Sequence, residues 1–158
     1  MRRALALPLV AVTLLLAGCA PTVSLTPAPQ ATSTRCAGVV VRLPERLGSL
    51  ERRQTDAQGT GAWGDPVAVT LTCGVVTPQV SGTPCQTVGG VDWLIEGQRI
   101  AGAQRQVLTT YGRSPGTQVV MDPEAVSPLN VLEALADPVV AATRRTAQRC
   151  LAISDAPS

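Results

Sequence analysis

Residues 66–74 read PVAVTLTCG, and the alternation in this stretch decides the fold. Val67, Val69, Leu71 and Cys73 share one side of an extended chain, while Ala68, Thr70 and Thr72 share the other. That is the two-residue period of a strand with one buried side. Asp65-Pro66 before it and Gly74 after it are turn residues. A strand with one dry face needs a second layer packed on that face.

Toward the C-terminus the same period recurs. GVDWLIEG (90–97) puts Val91, Trp93 and Ile95 on one face, RQVLTTYG (105–112) does so with Val107, Thr109 and Tyr111, and TQVVMDP (117–123) adds a further strand. Gly89-Gly90, Gly97, Gly102 and Arg113-Ser114-Pro115-Gly116 separate these runs as turns, so the strands are expected to pair antiparallel. The polar, glycine-rich run 53–63 reads as a loop or a short strand.

The second layer comes from the ends of the domain. Cys36, Val39, Val40, Leu43 and Leu47 are spaced by three and four, which predicts a helix near 35–50, interrupted at Pro44. Ser127-Pro128 has the form of an N-cap followed by proline, and Leu129, Val131, Leu132 and Leu135 follow it. Asp137-Pro138 repeats the signal and is expected to open a second helical stretch toward Cys150, with Arg144, Arg145 and Arg149 in its last turns. The expected fold is α+β: a mostly antiparallel sheet of about four or five strands packed with an N-terminal and a C-terminal helix.

The N-terminus carries an address. Arg2 and Arg3 precede a mainly apolar run from Ala4 to Ala17, which ends in Leu16-Ala17-Gly18-Cys19. The order is that of a signal peptide, and the run is too short for the roughly 20 residues of a membrane-spanning helix. Leu-Ala-Gly-Cys resembles a bacterial lipobox, in which Cys19 receives a diacylglycerol and becomes the first mature residue. Two acyl chains give stable anchoring where one does not. The expected organisation is a signal peptide at 1–18, a disordered Pro/Ser/Thr/Ala-rich tether at 19–34, one domain at 35–152 and a flexible tail at 153–158. The protein is expected at the extracytoplasmic face of the cell membrane.

Removing residues 1–18 takes two of the 13 arginines and none of the 11 acidic residues, so the mature chain balances at 11 against 11. No basic surplus points to nucleic acid. With Cys19 assigned to lipid, Cys36, Cys73, Cys85 and Cys150 form an even set, and in an exported domain they imply two disulfides. Three connectivities are open; Cys73 with Cys85 and Cys36 with Cys150 is the favoured one, closing a short loop and clamping the two domain ends.

The early cysteine-bearing helix, AWGDPVAVTLTCG, VGGVDWL, TTYGRSP and the leucine-rich C-terminal helix together resemble an actinobacterial secreted family known as domain of unknown function 3515. The resemblance spans roughly residues 34–151. It implies export or lipid anchoring and assigns no activity and no catalytic residues.

Candidate chemistry is narrow. Histidine and lysine are both absent, which excludes Ser-His-Asp, Cys-His, Ser-Lys and Schiff-base arrangements. Asp65, Asp92, Glu96, Asp122 and Glu124 offer carboxylates, but Asp65-Pro66 and Asp122-Pro123 read as turns, and the acids lack the dense spacing of a calcium loop. Gly59, Gly61 and Gly64 are followed by Asp65-Pro66 where a phosphate loop would open a helix. No catalytic set, metal or cofactor is expected.

Trp63, Trp93 and Tyr111 are the only aromatics, and with Asp65, Asp92 and Arg113 they form a candidate binding surface, Arg113 offering a fork for a carboxylate or phosphate. The competing reading makes the aromatics inward-facing sheet residues and Arg113 a turn residue. The expected function is a non-enzymatic accessory lipoprotein that presents a surface to another envelope protein or an envelope glycan or lipid. Alternatives are a carrier or sensor of a lipid or glycan precursor, with a cavity between sheet and C-terminal leucines, and a carboxylate-based hydrolase.

Overall fold

The structure is a computed structural model that describes residues 21–79 and 81–151. In chain order the elements are α1 (Thr34–Val40), β1 (Arg46–Leu47), β2 (Leu50–Arg53), β3 (Thr60–Trp63), β4 (Val69–Val75), β5 (Cys85–Val88), β6 (Val91–Ile100), β7 (Ala103–Tyr111), β8 (Arg113–Ser114), β9 (Gly116–Met121), α2 (Pro128–Ala142) and β10 (Arg144–Arg145). Eight strands form one antiparallel sheet in the order β1-β2-β3-β4-β9-β7-β6-β5, and β8 pairs with β10 in a separate ribbon.

The alternation in β4 holds as read: Val69, Leu71 and Cys73 are fully buried, and Thr70 and Thr72 are partly exposed. Register carries that face across the sheet, since Leu71 pairs with Val119, Val119 with Leu108 and Leu108 with Ile95. On this face lies one core, closed by Cys36 and Val39 of α1 and by Val131, Leu132, Leu135, Ala136 and Val139 of α2. The two helices touch each other above the sheet, giving the two-layer α+β arrangement.

Four expectations need correction. The sheet has eight strands instead of four or five, because pieces as short as Arg46–Leu47 and Leu50–Arg53 still pair with neighbours while showing no period. The first helix stops at Val40; Leu43 and Leu47 reach the core from the following turn and from β1. At the other end one helix runs through Pro138 to Ala142, because Leu135, Ala136 and Val139 on both sides of the proline are buried. Pro138 has no N–H to offer the Ala134 carbonyl, a loss of roughly 3 kcal/mol in a helix interior that the burial on both sides opposes. Arg144 and Arg145 then pair with Ser114 and Arg113 as β10 instead of extending the helix.

The fourth concerns the crosslinks, which join Cys36 to Cys73 and Cys85 to Cys150. Cys36 sits on the buried side of α1 directly over inward-facing Cys73, so this bond pins helix to sheet. The β8–β10 ribbon turns the chain back and delivers Cys150 to β5. In the chain-entropy model, sequence separations of 37 and 65 correspond to about 4 kcal/mol each.

Candidate functional site

Residues 21–33 are docked on the domain where a free tether was expected. The backbone N–H of Val23 donates to the Gln54 carbonyl (2.8 Å), Asp56 N–H donates back to the Val23 carbonyl (3.3 Å), and Gln30 N–H donates to the Gly74 carbonyl (3.1 Å). Ala31 is buried. The close approach requires glycine at 74: its φ is +102°, and a Cβ there would lie 2.5 Å from Ala31 N and Gln30 C. The Asp56 carboxylate accepts the Leu25 N–H at 2.9 Å, and that bond, helped by Ser24, holds its pKa below the ordinary aspartate value.

Between this segment, α1 and the chain from β2 to β3 lies a cleft of about 660 Å³. A shallower one of about 430 Å³ shares Ala31, Thr32, Ala57 and Gln58 with it. One wall is apolar, from Ala37, Val40 and the well-exposed Val41; the other carries Gln54, Thr55 and Gln58, with Glu45 at the margin. Ser33 caps α1 by accepting from Cys36 N–H at 3.2 Å, which fixes how the helix meets the docked segment.

Two arginines lock the cleft together. Arg52 donates to the carbonyls of Leu43 and Val40, both at 3.1 Å, and lies 3.6 Å from the exposed Glu45. Arg53 donates to Gly64 (3.0 Å) and Pro21 (2.9 Å) and meets Asp65 at 3.1 Å, while its buried Nε has no partner. Both guanidiniums therefore hold backbone in place. What the cleft offers a ligand is an apolar strip opposite carboxamides and hydroxyls, a set suited to hydrogen-bonding an extended polar chain.

The residues singled out in the sequence do not form one groove. Trp63 and Trp93 are both fully buried; the Trp63 indole donates to the Pro44 carbonyl at 3.0 Å, and the Trp93 indole nitrogen is unpartnered. Asp65 stands exposed at the β3–β4 turn beside Arg53.

Asp92, Tyr111 and Arg113 gather at the opposite end of the sheet, where Asp92 and Tyr111 are register partners. There Asp92 accepts from the Thr87 hydroxyl (2.6 Å) and from Cys150 N–H (3.1 Å), Tyr111 donates to Gln79 (3.3 Å), and Arg113 donates to Gly90 (3.1 Å). Burial and neighbouring Arg145 push the Arg113 pKa down, and Asp92 opposes them. These groups use their hydrogen bonds to fasten loops and the C-terminal strap.

Of the remaining acids, Asp122 meets Arg105 at 2.5 Å, accepts Glu124 N–H at 3.0 Å and is held below the ordinary carboxylate range chiefly by the latter bond. Among the described residues no three His, Cys, Asp or Glu side chains cluster as metal ligands, and no helix is long and apolar enough to cross a membrane.

The family model described as "Protein of unknown function (DUF3515)" matches residues 4–148. The chain belongs to this family. No curated protein and no solved structure matches the chain. The DUF3515 match runs from within the apolar N-terminal segment through the docked segment and both helices, so every residue that lines the cleft lies inside the family domain. The cleft escaped the sequence reading because its walls come from three separated segments. The local hint was a polar run with Gly59, whose φ of +70° lets it sit against Ala31.

Proposed function

We propose that the protein is a lipid-anchored accessory protein of the cell envelope, attached through Cys19, whose domain binds an extended segment of another envelope protein in the cleft beside α1. The observation that carries this reading is the cleft itself, a volume of about 660 Å³ lined by Val40 and Val41 of one segment and by Gln54 and Gln58 of another. Extended peptides present alternating apolar and hydrogen-bonding groups, which such paired walls complement. The lipobox-like Leu16-Ala17-Gly18-Cys19 supports the location.

A lipid or glycan precursor is the alternative occupant. The version that places such a ligand between the sheet and the C-terminal leucines is not supported, since Leu132 and Leu135 are buried in the core.

The test is crosslinking and recovery of the anchored protein from its native envelope, with a Cys19→Ala form in parallel. One envelope protein recovered with the anchored form, with crosslinks at Gln54 and Gln58, is the expected result. Turnover of an envelope substrate that a carboxylate substitution abolishes would replace this reading with a hydrolase.

A further inference from the structure

We propose that the end of the sheet formed by the β3–β4 turn and the β6–β7 hairpin rests against the lipid bilayer, with the hairpin tip at the headgroup level. The proposal rests on the reading of Cys19 as the anchor and adds an orientation to it.

The geometry begins at Pro21. Its carbonyl is held by Arg53, whose other amino group contacts Gly64 and Asp65 in the β3–β4 turn. The chain then runs beside residues 54–56 with a parallel bridge between Val23 and Thr55, away from that turn. Docking therefore starts at this end of the sheet, and only Cys19 and Ala20 separate an anchor from it. Two residues reach about 7 Å. A free tether of 16 residues, 19–34, would instead have a typical span of about 20–24 Å.

The hairpin lies at the same end. Antiparallel register places the β3–β4 turn, the exit of β9 at Met121 and the β6–β7 turn together, since Trp63 pairs with Val69, Val69 with Met121 and Met121 with Gln106. Beyond Gln106 the β7 strand has no third-strand partner, while Gln98, Arg99 and Ile100 still pair with Arg105, Gln104 and Ala103. These three pairs project about 10 Å past the sheet.

The tip presents exposed Ile100 and Ala101 with Arg99 beside them. A short apolar group flanked by a guanidinium suits the boundary of acyl chains and phosphates. At the opposite end, the β8–β10 ribbon and Ala147 lie about 30 Å away along the nine residues of β7.

The experiment uses the anchored full chain in vesicles of phosphatidylethanolamine and phosphatidylglycerol, with an environment-sensitive fluorophore attached through Gln104→Cys or, separately, Ala147→Cys. Lipids carrying a headgroup-level spin label serve as quenchers, and the intact mass of the same sample reports the state of Cys19. Diacylglycerol on Cys19 with several-fold stronger quenching at 104 than at 147 is expected. Equal quenching at both positions on an anchored chain, or stronger quenching at 147, would overturn the orientation alone. An unmodified Cys19 would remove the anchor and the proposal with it.

Discussion

Replacing Gly74 by alanine should loosen the docked N-terminal segment and cost about 1–3 kcal/mol. The structure supplies the terms. A φ of +102° is foreign to a residue with a Cβ, and left-handed backbone costs roughly 1–2 kcal/mol. The added carbon would stand 2.5 Å from backbone atoms of Gln30 and Ala31, which cannot rotate away as a side chain would, so the segment must move. Moving it breaks the Gln30 N–H to Gly74 bond, worth about 1 kcal/mol, and uncovers the methyl of Ala31, worth up to about 0.8 kcal/mol. Reduced freedom of the unfolded chain returns about 0.4–1 kcal/mol.

Urea unfolding at equilibrium measures the loss, and at about 4 °C per kcal/mol the melting temperature should fall by about 4–12 °C. Hydrogen exchange at Val23, Leu25 and Gln30, whose amides have named acceptors, should accelerate. Unchanged stability to within about 0.5 kcal/mol, well inside the expected loss, with unchanged exchange at those amides, would refute the docking.

Peptide mapping without reduction should recover Cys36 with Cys73 and Cys85 with Cys150, and a Cys36→Ala/Cys73→Ala variant should lose about 4 kcal/mol in denaturant titration. The lowered pKa of Asp56 means that its contact with the N-terminal segment contributes fully above the ordinary aspartate value near 3.9 and is lost as pH falls through the lowered folded value. Exchange at Leu25, corrected for intrinsic rate, should rise over that acid window, and Asp56→Asn should remove the pH dependence. Leu135→Ala, at a fully buried site between helix and sheet, should cost about 2–5 kcal/mol by urea unfolding.

What could be read from the chain, and what could not, divides by how local each signal is. The β4 alternation was legible because its buried face and its solvent face are set by successive residues. Asp92 broke the same rule in β6: it alternates with Val91 and Trp93, yet it too is buried, because the Thr87 hydroxyl and the Cys150 amide come to it from elsewhere in the chain. Asp137-Pro138 carried a sound local signal for a helix start, and burial of Leu135, Ala136 and Val139 overrode it.

Residues 21–33 looked unable to fold for lack of apolar side chains. They are held mainly by backbone hydrogen bonds and by the space left at Gly59 and Gly74, neither of which composition reveals. The disulfide pairing and the cleft share that origin, since each depends on which distant segments become neighbours.

Anchoring at the envelope underlies both the proposed function and the proposed orientation, and the intact mass of the mature chain from its native membrane fraction tests it most directly. A chain that begins at Cys19 and carries a diacylglycerol thioether is the expected result. A chain recovered in the soluble fraction with Cys19 unmodified, or cleaved at another position, would contradict it.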